Sequence, residues 1–387
     1  MEKGNMLLVH GGAPTAVMNA SVYGVLQAAQ GRVDAVLGAN GGTGGLMAEK
    51  FIDLTRLNAE ERVQLLITPG TVIGTSRTPL AEADYQRMAE IAIRHNIRYL
   101  LFNGGNGTMD ACGHMQAVCQ AHGIQVIGIP KTIDNDIAVT DHAPGFGSAA
   151  RYLAATVSEV CQDVHALPIH VCVVEAMGRN AGWLAAASAL AADTGFGPDL
   201  ICLPERDFDE ERFLAAIKAI YDRQGCAVVV ASEGLHYADG TPIVEPIFKT
   251  GRAVYYGDVS AHLANLVIKR LGVKARSEKP GICGRASYAF QSPLDRDEAV
   301  ACGRRAAELA LSGKSGRMVT LERGDGAYQT RLGETAIADV MLVERKLPDA
   351  WITPDGMGVT AEFTDWCRPL IGGDLPRFLR LKERIAE

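Results

Sequence analysis

No two cysteines in this 387-residue chain stand at the Cys-x-x-Cys spacing, and its nine cysteines are scattered and odd in number. That pattern speaks against a disulfide framework and for reduced thiols, so a cytoplasmic location is expected. The nine histidines do not cluster at zinc-ligand spacings, and a structural zinc site is not expected. No apolar run approaches the ~20 residues of a membrane span. The opening Met1-Glu2-Lys3-Gly4-Asn5 has no basic region, so a signal peptide is not expected. Positive charge is in deficit: 38 Lys and Arg face 45 Asp and Glu, a net −7, which argues against a nucleic-acid partner while leaving room for a local basic pocket. Internal repeats, low-complexity tracts and proline-rich linkers are missing too, so a division into domains would cross the chain without a seam.

What the chain has is a soluble composition, 48% hydrophobic and 21% charged, and a length suited to two ordinary domains. Short apolar runs at 6–9, 33–37, 99–102, 126–129, 171–174 and 227–231 end in glycine or polar residues. Stretches of helical character at 81–94, 111–122, 149–165 and 211–223 separate them. Alternation of this kind predicts α/β architecture, with mainly parallel sheets covered by helices on both faces. Ligands in such folds sit beyond the carboxyl ends of the strands, where the distinctive motifs of this chain fall.

The most informative of these is Ile129-Pro130-Lys131-Thr132-Ile133-Asp134-Asn135-Asp136. In an extended segment positions i and i+2 project to one side, so Asp134 and Asp136 are expected to enter one pocket beside Lys131. Two carboxylates near a cation can divide metal holding and proton removal, as phosphoryl transfer requires. Asn103-Gly104-Gly105-Asn106-Gly107-Thr108 follows another strand, with Thr108 as a helix N-cap. Gly-rich sequences like it also occur in lipid and NAD kinases, so the motif marks a superclass. Val9-His10-Gly11-Gly12 reads either as an anion-binding loop or as a tight strand-to-helix turn. Arg77, after Gly74-Thr75-Ser76, is either a phosphate clamp or a solvated surface residue. Arg179, in Met177-Gly178-Arg179 after a strand, would add positive charge where a transition state becomes more anionic. Ser232-Glu233-Gly234 has the placement to orient sugar hydroxyls, and Arg276 and Arg285 to bind a phosphomonoester. Trp351 and Trp366 read as packing residues.

In combination these motifs resemble the phosphofructokinase family, from about Leu7 to Arg296. The most specific elements are the 130–136 segment, Thr140-Asp141, Pro144-Gly145-Phe146-Gly147-Ser148-Ala149 and Met177-Gly178-Arg179. The resemblance implies two doubly wound (Rossmann-like) domains with the active site in the cleft between them. The larger, residues 1–145 plus about 284–335, would bind the donor; the smaller, 146–283 plus about 336–387, would bind the sugar phosphate. It further implies phosphoryl transfer to O1 of fructose 6-phosphate with Mg²⁺ as cofactor. Asp134 would be the base, assisted by Thr132 and Arg179. Gly11, Gly12, Arg77, Gly104, Gly105, Gly107, Thr108 and Lys131 would bind the donor, and Asn106 and Asp136 the metal. The sugar would be held by Thr132, Asp134, Asp136, Met177, Gly178, Arg179, Glu233, Arg276 and Arg285. In the family's tetrameric arrangement Arg276 arrives from a neighbouring subunit, so a homo-oligomer, dimer or tetramer, with shared sites is expected.

Two positions bear on the donor. Aspartate at position 107 would crowd a nucleotide's α-phosphate, and Gly107 leaves room for ATP. Lys131, where most bacterial ATP enzymes have glycine, accompanies pyrophosphate, as do the PGFGSA and MGRNAGW wordings and Asn106 in place of the usual aspartate. The expectation rests narrowly on ATP, with pyrophosphate the alternative. His170, Ile282 and Gly284 depart from the family's usual arginine, histidine and glutamine, which leaves another sugar phosphate open as acceptor; a non-catalytic metabolite-binding paralogue is the remaining alternative. Tyr23 and Gln27 stand where the allosteric bacterial members carry arginines for effector phosphates. No strong activation by ADP and no strong inhibition by phosphoenolpyruvate are therefore expected. Initial rates against fructose 6-phosphate test this: a sigmoidal curve made hyperbolic by ADP would contradict it.

Overall fold

The computed structural model describes residues 3–250, 253–379 and 381. It divides into two compact units, Met1–Ser148 with Arg285–Arg345, and Ala149–Gly284 with Lys346–Glu387. Its strands in chain order are β1 (Asn5–His10), β2 (Val36–Ala39), β3 (Phe51–Asp53), β4 (Ile97–Gly104), β5 (Gln125–Pro130), β6 (Val171–Ala176) and β7 (Leu200–Cys202). They continue as β8 (Ala227–Ser232), β9 (Pro246–Thr250), β10 (Ala253–Tyr256), β11 (Ala275–Glu278), β12 (Arg317–Arg323) and β13 (Thr330–Ala336).

The first unit is built on a seven-stranded sheet in the order β13-β12-β5-β4-β1-β2-β3. Its five central strands are parallel and its two edge strands antiparallel. Side chains of β1 alternate between two cores: Leu7 and Val9 pack with Phe102, Met88 and Met115, while Met6 and Leu8 pack with Ile127, Val22 and Ala306. A sheet buried on both faces needs continuous apolar strands, which is what the Met-Leu-Leu-Val run supplies. On one face the helices Met18–Ala29 and Pro293–Leu311 lie backbone to backbone. A Cβ at Gly24 would collide with the Val300 carbonyl, and one at Gly303 with that of Ser21. The chain leaves β1 toward β2 and β3, then returns on the other side as β4 and β5. The neighbouring carboxyl ends of β1 and β4 are thus the switch point of the sheet, where a doubly wound fold opens a crevice.

The second unit carries a four-stranded parallel sheet in the order β11-β6-β8-β7, plus the antiparallel pair β9 and β10. Trp183, Trp351, Trp366 and Phe363 form one aromatic cluster there, with Trp183 and Trp366 ring centroids 5.1 Å apart. Trp351 and Trp366 are thereby packing residues. None of the nine cysteines is in a disulfide, and all but Cys283 are buried. Burial pushes the thiols of Cys119, Cys172 and Cys202 up to about 12.

Behind the 130–148 region of the first unit lies a buried charge network. His142 sits with Nδ1 2.8 Å from Asp141 and Nε2 2.7 Å from Glu298. Tyr328 and Thr330 donate to the other Glu298 oxygen at 2.6 and 2.9 Å, and Arg323 pairs with Asp141 at 3.1 Å. Burial alone would lower the His142 pKa, but the hydrogen bonds to Asp141 and Glu298 and their charges prevail and raise it to about 9. A histidine bound more tightly to its proton when folded stabilises the fold fully below about pH 6.5 and loses that contribution as pH rises through 9. The thermal midpoint of wild type relative to His142→Gln should therefore shrink between about pH 7 and 10; a difference independent of pH would show that the imidazolium is not held.

Candidate active site

In the first unit the site residues converge on the switch point. Lys131 follows β5, and its N–H donates to the Gly104 carbonyl at 3.1 Å. Its side chain is buried and donates from Nζ to the Ala13 carbonyl at 2.6 Å. A Cβ on Gly12, which has φ +74, would lie 3.6 Å from that ammonium. Burial lowers the Lys131 pKa to about 8; Asp134 and Asp136 oppose the shift, whereas Arg77 and Arg285 add to it. Five of the expected site residues thus share one electrostatic neighbourhood. Burial, then Arg77, also depresses Arg285, with Asp134 acting against both. Next to them His10, at the end of β1, is pushed down to about 3 by burial and by Lys131, so its imidazole is neutral.

The glycine loops are tied together by packing. A Cβ at Gly11 or at Gly104 would collide with the Thr108 hydroxyl, which fills the space between the two strand ends. Gly11 bridges to Ser76, Gly12 N–H donates to the Ser76 carbonyl at 3.3 Å, and Thr75 Oγ1 donates to the Gly12 carbonyl at 2.8 Å. That strap brings Arg77 beside the loop, and Arg77 itself is exposed, as its surface reading has it. Thr108 is not an N-cap: Gly105 occupies the cap position and the helix runs Asn106–Cys119, placing Thr108 in its first turn. The helix starts early because the strand already ends at Gly104 and the Gly105 carbonyl accepts from the N–H groups of Thr108 and Met109. Gly107 is exposed, and a Cβ there would meet nothing within 4 Å.

The 131–136 segment also departs from expectation. β5 ends at Pro130, and Asn135 is left-handed with φ 53, so strand alternation does not relate Asp134 to Asp136. Asn135 can hold this conformation because its Oδ1 accepts the Ala143 N–H at 3.0 Å. Thr132 Oγ1 accepts the Asp134 N–H at 3.1 Å, and Asn106 Nδ2 donates to the Asp136 carbonyl at 3.3 Å. Burial raises the Asp136 pKa, Glu344 adds to this, and hydrogen bonds from Asn106 and Thr132 oppose it. Asn106 Oδ1 is buried without a hydrogen-bond partner. An orphaned amide oxygen beside a carboxylate offers hard oxygen donors of the kind Mg²⁺ accepts.

In the second unit, two loops at the carboxyl ends of β6 and β8 are joined. Ser232 Oγ donates to the Gly178 carbonyl at 2.6 Å, and Glu233 Oε1 accepts the Gly178 N–H at 3.3 Å. Gly178 needs its φ of 113, and Gly234 has no room for a Cβ because the Arg179 backbone lies against it. Met177, Gly178, Arg179 and Glu233 are therefore one rigid group. The Arg179 guanidinium lies 5.5 Å from the Tyr256 ring centroid, and its Nε is buried without a partner. Buried Glu175, at the end of β6, pairs with Lys279 at 2.6 Å. Arg276 is not part of this group. It sits in β11 opposite Cys172, near the amino end of the sheet, and is exposed. From Cys172 to Met177 an extended chain runs about 16 Å. His170 lies at the same amino end, buried, its pKa lowered by burial and by Arg276 and Lys274.

Sequence reasoning missed Tyr256, Lys279 and Arg345, each a single side chain outside any motif. It also passed over His10, whose place before Gly11-Gly12 was the available signal.

Glycine loops at the switch point of a parallel sheet, with cations around two carboxylates, define a phosphate-handling α/β enzyme. The family profile described as Phosphofructokinase matches residues 5–310. The chain is 38% identical over 394 residues to the pyrophosphate–fructose 6-phosphate 1-phosphotransferase of Xanthomonas campestris pv. campestris, covering 97% of this chain and 93% of that protein. It is 33% identical over 323 residues to ATP-dependent 6-phosphofructokinase 2 of Streptomyces coelicolor, covering 82% and 89%. The crystal structure of the pyrophosphate-dependent phosphofructokinase from Nitrosospira multiformis superposes with a TM-score of 0.88 at 33% identity, over 97% of this chain and 94% of that one. This chain belongs to the phosphofructokinase family. Among the described residues no helix is long and apolar enough to cross a membrane.

A lysine that titrates near pH 8 makes anion binding pH-dependent. The affinity for inorganic pyrophosphate, measured by titration calorimetry, should fall as pH rises through about 8, and Lys131→Met should remove that step. Parallel pH profiles for the two proteins would show that the ammonium does not face the anion.

Proposed function

We propose that this chain transfers a phosphoryl group from inorganic pyrophosphate to O1 of fructose 6-phosphate. The observation that carries the choice of donor is Lys131, a buried ammonium held at the Gly12 loop within the field of Asp134 and Asp136. A compact, highly charged donor gains most from such a fixed cation, since low local dielectric strengthens the pair. The preference for ATP rested on Gly107. That position is open to solvent, so glycine there permits a nucleotide without favouring one. The relative with the higher identity carries pyrophosphate in its name, which agrees with Lys131 and gives the ATP preference no support.

In this reading Gly11, Gly12, Arg77, Gly104, Gly105, Gly107, Thr108 and Lys131 hold the donor. Asn106 Oδ1 and Asp136 hold Mg²⁺, which when bound neutralises charge on the donor phosphates. Asp134 takes the proton from O1, and Thr132 and Arg179 balance charge on the group in transit. Met177, Gly178, Glu233 and Arg285 orient the sugar. Arg276 takes the 6-phosphate of the sugar bound to a second copy. Its place at the opposite end of the sheet from Met177 and Glu233 supports sharing sites in a homo-oligomer.

Initial rates with fructose 6-phosphate and Mg²⁺, using pyrophosphate and ATP side by side, test this. Robust turnover is expected with pyrophosphate only, and turnover with ATP alone would reverse the donor. Asp134→Ser should lower kcat by about 10²–10⁴ with KM for the sugar little changed; near-normal turnover would remove Asp134 from its role.

A further inference from the structure

Between Pro130 and Phe146 the chain forms no strand or helix, yet this stretch carries Asp134 and Asp136. A loop without regular elements needs outside donors for its carbonyls if it is to hold one shape. Those donors come from the far end of the first unit. Ile137 and Glu344 form an antiparallel bridge, and the Arg345 N–H donates to the Asp136 carbonyl at 2.8 Å. The Arg345 guanidinium then spans the loop. Nη2 and Nε donate to the Asn135 carbonyl at 3.1 and 3.3 Å, and Nη1 donates to those of Thr140 and Asp141 at 2.9 and 2.5 Å. Two consecutive pairs of carbonyls, 135–136 and 140–141, thus accept from one residue, three of the four from its side chain. One of them belongs to Asn135, whose left-handed backbone is held from the other side by its own Oδ1 on the Ala143 N–H. Charge-assisted bonds from a planar fork fix both distance and direction, which a lysine cannot reproduce.

We propose that Arg345 is a positioning residue for phosphoryl transfer: by pinning residues 135–141 it fixes where the Asp134 carboxylate stands, without itself needing to touch substrate. The proposal rests on the reading of Asp134 as the base. A shift of about an ångström in a reacting group can lower a rate on the order of 10²-fold, and that is the effect expected here.

A double-mutant cycle with pyrophosphate, fructose 6-phosphate and Mg²⁺ separates positioning from bulk stability. Arg345→Met should lower kcat about 100-fold, with KM for fructose 6-phosphate changed less than about threefold. In the Asp134→Asn background the same substitution should lower the residual kcat by less than about threefold, because a base already removed cannot be misplaced. Equal factors in the two backgrounds would mean that Arg345→Met only depletes folded enzyme, and would overturn the proposal, as would unchanged kcat in the single variant. Near-normal turnover by Asp134→Asn alone would overturn the functional reading and this inference together. Should Arg345→Met fail to fold, Arg345→Lys carries the same cycle, with a loss of about 10-fold expected in the wild-type background and little in the other.

Discussion

A buried ammonium keeps its proton only where negative charge stands close by, and the placement of Lys131 organises the first unit around that requirement. Its main chain continues β5 alongside Gly104, its side chain crosses beneath Gly12, and its charge is balanced by Asp134 and Asp136 while Arg77 and Arg285 press against it. Neither acid nor base is comfortable alone here. Desolvation lowers Lys131 and raises Asp136; the charges of Asp134 and Asp136 draw Lys131 back, and hydrogen bonds from Asn106 and Thr132 draw Asp136 back. Such a balance is easily tipped by an arriving anion or cation.

The strands that were legible in the sequence are those buried on both faces. β1, β4, β5, β6 and β8 are nearly continuous apolar runs because helices cover both sides. Others left no such mark. β11 alternates half-buried and exposed positions, β13 is an exposed antiparallel edge, and β7 has three residues only. The helix at Asn106 began earlier than its apolar pattern because the Gly105 carbonyl closes its first turn, a backbone event that side-chain periodicity does not record.

The site was legible where its residues are contiguous. The 131–136 and 177–179 segments and the glycine loops announce themselves as words, and the structure joins 104–106 to 131–136, and 177–179 to 232–234, by direct hydrogen bonds. Residues that act from afar left no trace: Arg345 stands some two hundred positions from the loop it grips, and Tyr256 reaches Arg179 from β10. Strand alternation was the wrong geometry for the acidic pair, since Asn135 reverses the local handedness. The expectation of ATP and the pull of Lys131 rest on different kinds of signal. Gly107 was judged by what a larger residue would obstruct, while Lys131 supplies an attraction that is present.

The cysteines carry a practical corollary. Eight are buried, with burial raising the pKa of Cys112, Cys119, Cys161, Cys172, Cys202 and Cys302, and Cys283 alone is exposed. Thiolate is the species that alkylating reagents capture, so the native chain offers them one target and the denatured chain nine. Label stoichiometry therefore doubles as a built-in gauge of how much of the molecule has opened.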